Sequence, residues 1–196
     1  MRWFAFFILA YLALGLQVGL GSYISYGGVT PNLVLIAGIF IAMNAPRDAA
    51  LLGCFGMGVL HDLLTHQPPG LFALAYGLVG LLVAGTNQVV YREHPLTHFT
   101  FALVGGIVVA LVVLLHGWVH PPGVAETRWV GGGYGAVPAT QVSVGAARPS
   151  PALEFGRALY TAVLAPIVLG VLQRMKRVFG FQAAKRRAAY FARREG

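Results

Sequence analysis

Charge is what this sequence lacks. Asp, Glu, Lys and Arg make up 10% of the 196 residues, against about a quarter in soluble domains. With 57% hydrophobic residues and a mean hydropathy of +0.71, the chain has too little polar surface to coat a water-soluble globule. It reads as an integral membrane protein. Cysteine is almost absent: Cys54 stands alone, so no intramolecular disulfide can form and cysteine usage does not report the compartment. Catalytic pairings are missing too, since Ser22, Ser25 and the loop serines have no His–Asp partner at a recognisable spacing. Enzyme activity is not expected.

What is present is long apolar runs and basic charge at one end. Of the 14 Lys and Arg residues, Arg174, Lys176, Arg177, Lys185, Arg186, Arg187, Arg193 and Arg194 lie at the C-terminus. The others are Arg2, Arg47, Arg92, Arg128, Arg148 and Arg157. The net charge of +8 is therefore largely a property of the tail.

Hydropathy predicts six spans, at about Trp3–Leu20, Asn32–Met43, Ala49–Leu64, Leu71–Val90, Phe99–Val119 and Leu153–Leu172. The first and last three approach the ~20 apolar residues that a ~30 Å hydrocarbon core requires. The second and third are short, because fifteen residues of helix reach only about 23 Å. They read as two short spans rather than a re-entrant hairpin, which would bury Arg47 at a cost of several kcal/mol. The first span is longer than a signal-peptide core and no clear cleavage site follows, so it reads as a retained helix.

Lys and Arg in the loops set the orientation. With a cytoplasmic N-terminus, Arg2, Arg47, Arg92 and the tail all fall inside. The outer side then holds only Arg128, Arg148 and Arg157, around a long loop at about 121–151. That loop is rich in Gly, Pro and small residues and reads as disorder or a loose hairpin, with Ala139–Val144 able to pair as a strand. The predicted organisation is a transmembrane domain over residues 1–173 and a basic cytoplasmic tail over 174–196.

Several clusters invite a chemical reading. Gly53-Cys54-Phe55-Gly56-Met57-Gly58 superficially resembles a nucleotide loop, but the strand–helix context such a loop needs is absent. Glycines inside a membrane helix let neighbouring helices approach closely, and Gly77, Gly80, Gly105 and Gly106 read the same way. Asp62 with His66, His94 with His98, and His116 with His120 stand four apart, on one helical face each. A zinc site from Asp62, His66, His116 and His120 is set aside, since Pro68 and Pro121 end both helices near these residues. Asp62 itself stays open. It is either a functional ionisable group at a span edge or an interfacial residue that caps or orients the Thr65–Gly70 turn. The tail mixes basic residues with Phe179, Phe181, Tyr190 and Phe191, which suits an amphipathic helix on anionic lipid. The membrane already accounts for that charge, so nucleic acid is not an expected partner.

Three marks in order, Pro31-Asn32-Leu33, Gly58-Val59-Leu60-His61-Asp62-Leu63 and Gly70-Leu71-Phe72-Ala73-Leu74 with Val79-Gly80 behind it, resemble motifs of the MreD family of bacterial rod shape-determining membrane proteins. Asn32 stands where that family often has Asp, and the outer loop and basic tail are longer than expected. The resemblance implies a non-enzymatic, six-helix inner-membrane component of the cell-elongation machinery, without cofactor or metal. Its implied partners are an MreC-like protein, the actin-like MreB, and RodA with its penicillin-binding transpeptidase. The implied fold is an all-α bundle similar to the substrate-binding subunits of energy-coupling-factor transporters. That similarity supplies the alternative function, a membrane subunit that binds a small ligand. Pro31, Asn32, Gly58, Asp62 and Gly70 are the candidate partner or packing residues; Arg174, Lys176, Arg177, Lys185, Arg186 and Arg187 are the candidate anionic-lipid contacts.

Overall fold

Ten consecutive residues of one short helix, Val34 to Met43, are all buried. A helix that is hydrophobic on every side belongs inside a bundle, and this one, α2 (Leu33–Asn44), touches all five other helices. They are α1 (Trp3–Gly21), α3 (Arg47–Leu64), α4 (Leu71–Thr86), α5 (Pro95–Val119) and α6 (Pro151–Met175). The computed structural model describes residues 3–21, 23–65, 69–86, 94–119, 128–130, 137–139 and 150–175.

The helix ends follow local chemistry. Pro95 and Pro151 open α5 and α6 a few residues before the hydropathy bounds, because proline at the first helical position gives up an N–H that has no partner anyway. His94 Nδ1 accepts from Leu96 N at 3.3 Å, and Ser150 Oγ accepts from Leu153 N at 3.3 Å. The fourth helix ends at Thr86, and residues 87–90 of the expected span lie outside the described residues. Only Ala45 and Pro46 separate α2 from α3, and Arg47 and Asp48 at that corner are exposed.

Inward faces carry small or polar residues at helical spacing. On α3 they are Ala50, Gly53, Cys54, Met57, Gly58, His61 and Asp62. On α5, Ala102, Gly105, Gly106, Val109 and Ala110 continue the pattern. The outward faces carry Phe4, Tyr11, Leu63, Trp118 and Ile167, each at least 66% exposed. Helices α5 and α6 are long and apolar enough to cross a membrane by length and composition, while α2 and α4 are shorter apolar helices.

In the long loop, Arg128–Val130 (β1) pairs antiparallel with Val137–Ala139 (β2). Of the expected Ala139–Val144, Ala139 belongs to β2 and residues 140–144 lie outside the described residues. Val137-Pro138-Ala139 is the segment that can fold back on Arg128–Val130 across the glycine-rich stretch 131–136.

Candidate functional site

The first N–H groups of a helix have no partner within it, and in a membrane bundle each must find one. At the start of α2 they find side chains from three elements. Gln17 Oε1 of α1 accepts from Leu33 N at 2.7 Å, and Gln17 Nε2 donates to Pro31 O at 3.2 Å. Asn32 Oδ1 accepts from Leu35 N at 2.9 Å, the N-cap geometry that asparagine favours. Asn32 N donates to Thr161 Oγ1 of α6 at 2.9 Å, and that hydroxyl donates in turn to Arg157 O.

The cap continues into a chain. Tyr76 Oη, on a side chain 1% exposed, lies 2.9 Å from Asn32 Oδ1 and 3.0 Å from His61 Nδ1. The Leu35 bond identifies Oδ1 as the amide oxygen, so the Tyr76 hydroxyl must donate to it. Tyr76 then accepts from His61 Nδ1–H, which leaves the lone pair of the neutral ring on Nε2. The hydrogen-bond network thus assigns the tautomer. Phe72 covers the ring, with centroids 4.3 Å apart. Tyr76→Phe is expected to lower stability by about 1–2 kcal/mol, since it strands the His61 donor while the Asn32 cap survives. A thermal melt of the purified chain in detergent checks this.

Asp62, the next residue, faces α4 instead. Its Oδ2 accepts from Gly70 N and Ala73 N at 3.0 Å each, and its Oδ1 accepts from Phe72 N at 2.9 Å. A carboxylate at a helix N-terminus also meets the favourable end of the helix dipole. Gly70, at φ +99, supplies a backbone turn that an L side chain rarely adopts, and so aims its N–H at the carboxylate. Gly58, one turn earlier on α3, presses on the same segment. A Cβ there would sit 2.5 Å from Ala73 Cα and 2.7 Å from Ala73 N.

Beside this network lies a cavity of about 400 Å³, within the roughly 300–1,000 Å³ range of small-molecule sites. Thr30, Thr65, Glu154 and Arg157 line it near the helix ends, and Gly106, Val109 and Ala110 line it at the middle of α5. Its lining on α6 runs from Glu154 to Thr161, seven helical steps or about 10 Å. Arg157 bonds Glu154 Oε1 at 2.8 Å, with side chains 45% and 11% exposed respectively. The Thr161 hydroxyl is already engaged as donor and acceptor, so the lining offers recognition groups rather than an activated nucleophile.

The residues singled out from sequence fall in different places. Asn32, Asp62, Gly70 and Gly58 gather around the α2 and α4 starts, and Pro31 is buried beside them. Arg174 is exposed in the last turn of α6, while Lys176, Arg177, Lys185, Arg186 and Arg187 lie outside the described residues. So do His66 and His120, and both oxygens of Asp62 are engaged by backbone N–H groups. Among the described residues no group of three or more His, Cys, Asp or Glu is placed to hold a metal. Sequence reasoning missed Gln17, Tyr76, Glu154 and Thr161. The available signal was that each interrupts an apolar span with a hydrogen-bonding group.

A family model described as rod shape-determining protein MreD matches residues 1–124. No curated protein and no solved structure matches the chain.

Proposed function

Because the chain belongs to the family of the rod shape-determining protein MreD, a membrane protein family with a role in rod shape, we propose that it is a non-enzymatic scaffold or regulator of lateral wall synthesis in the bacterial inner membrane. The observation that carries this reading is the family match, which takes in α1 to α5 and the whole Asn32–Gly58–Asp62–Gly70 cluster. Six helices cross the membrane as a bundle like that of energy-coupling-factor substrate-binding subunits, with both termini cytoplasmic. The exposed Arg47–Asp48 corner supports two short spans over a hairpin buried at mid-membrane.

The partners are an MreC-like protein, RodA with its transpeptidase, and MreB, bound helix on helix. Gly58, Gly80 and Gly106 already press on neighbours inside the bundle, whereas Gly15 and Gly19 on α1 meet nothing within 4 Å. Four residues apart on the outer surface, the latter two offer a partner's helix a close approach. Asn32, Asp62 and Gly70 act indirectly by holding the helix ends in place. Arg174 and the basic residues after it dock on anionic lipid at about 1 kcal/mol per residue near the surface.

Depletion in a rod-shaped host is expected to produce spheres, and unchanged shape and wall insertion would overturn the reading. The alternative, a small-ligand-binding subunit of an ATP-driven importer, is favoured by one observation, the polar cavity beside His61. A native pull-down separates the two: MreC-like partners support the scaffold, and ATP-binding subunits support the importer.

A further inference from the structure

The cavity beside His61 has a recognition chemistry that neither reading assigns. From its groups we infer that it binds a small zwitterion of the phosphoethanolamine type, with an ammonium that donates N–H bonds and a phosphate that accepts them.

Three lining groups carry the inference. His61 lines the cavity and is held by Tyr76 and Phe72 with Nδ1–H donating, so its neutral ring carries an acceptor lone pair on Nε2 that no described residue bonds. Glu154 bonds Arg157 through Oε1, and its second oxygen has no partner among the described residues. Arg157 uses one terminal nitrogen on Glu154 and is half exposed, which leaves further guanidinium N–H donors. Two acceptors and one cationic donor therefore belong to residues that line one cavity.

This arrangement selects by charge. A net anion meets Arg157 but is opposed by the Glu154 carboxylate and the histidine lone pair. A net cation is opposed by the guanidinium. A group with both signs satisfies all three, with its ammonium on Glu154 and His61 and its phosphate on Arg157. The N–H donors matter, because a quaternary ammonium carries the charge without a proton for Nε2. Below the charged mouth, Leu35, Gly106, Val109 and Ala110 give an apolar floor suited to a glycerol backbone and the start of an acyl chain. The ligand chemistry is shared by a phospholipid head and by free phosphoethanolamine.

The test uses the full chain in nanodiscs of equal parts phosphatidylethanolamine, phosphatidylcholine and phosphatidylglycerol, with native mass spectrometry of the lipid retained after release. Wild type is expected to retain phosphatidylethanolamine at least fivefold over each of the others. Arg157→Gln, at a half-exposed rim position, and His61→Phe are expected to bring retention to parity, and His61→Gln to recover part of it. A parallel melt with free phosphoethanolamine identifies the source. Stabilisation points to a soluble ligand, and no shift alongside selective lipid retention points to the lipid head. Equal retention of the three lipids without stabilisation by free phosphoethanolamine, preference for phosphatidylglycerol or phosphatidylcholine, or unchanged binding in a folded Arg157→Gln variant would each overturn the inference. The shape phenotype on depletion tests the scaffold reading separately.

Discussion

Asp62→Ala is expected to destabilise the chain by roughly 3–5 kcal/mol, the largest effect of any single side-chain truncation. The carboxylate accepts three backbone N–H groups, from Gly70, Phe72 and Ala73, at 2.9 to 3.0 Å. Bonds to a charged group contribute roughly 1.5–3 kcal/mol each, and they do not add fully because they share one acceptor group. Alanine also leaves the buried Ala73 N–H, and the Gly70 and Phe72 N–H groups of the part-buried bonds, without that acceptor. Asp62→Asn is expected to fall between, since its amide oxygen still accepts but its NH₂ faces a donor. Exposed Asp48, in the first turn of α3, is the reference position. Melting midpoints in one detergent check the order; equal losses for Asp62→Ala and Asp48→Ala would refute the capping role.

Gly58→Ala comes second. The added methyl would collide with the carbonyl oxygen of Phe72 and with Ala73 Cα at 2.5 Å. Both are backbone, so no side-chain rotation relieves the contact and α3 must move from α4. Overpacking of this kind costs about 1–3 kcal/mol, sometimes more, and the rigid partner places Gly58 at the upper end. The same shift strains the Asp62 bonds to α4. Gly106→Ala meets Ala158 Cβ at 2.8 Å and is expected to follow closely. Gly170, on α6 with nothing within 4 Å, is the counter-case. Alanine there is expected to be neutral or to stabilise by up to about 1 kcal/mol through helix propensity. Thermal melts of the three variants rank them, and a Gly58→Ala chain as stable as Gly170→Ala would contradict the close approach.

Helix positions were legible because apolar runs of this length have few other uses, and the six helices fall near their hydropathy bounds. The inward faces were legible only through glycine. In a soluble helix apolar residues mark the core, but here large apolar residues such as Phe4, Tyr11 and Leu63 point outward. Large apolar residues fill α2 all round and the outer surface alike, while small and polar residues mark the inward faces of α3 and α5. Hydrophobic periodicity therefore says little, and the Gly58, Gly80 and Gly106 positions say more. Asp62 stood at a recognisable motif, yet its three N–H partners lie 8 to 11 residues away and depend on the turn between. The cavity was not legible at all. It joins Gln17, His61 and Arg157 across residues far apart in sequence, and only the bundle's geometry brings His61 and the ion pair to one cavity.

The bond from Asn32 N to Thr161 Oγ1 spans 129 residues. During synthesis the second helix emerges long before the sixth, so its first turn lacks that acceptor until α6 has been made. Closure of the bundle is therefore coupled to entry of α6, and chains shortened before α6 are expected to expose a half-capped α2 to quality-control proteases. The central helix sets an order of assembly, and α6 acts as the latch.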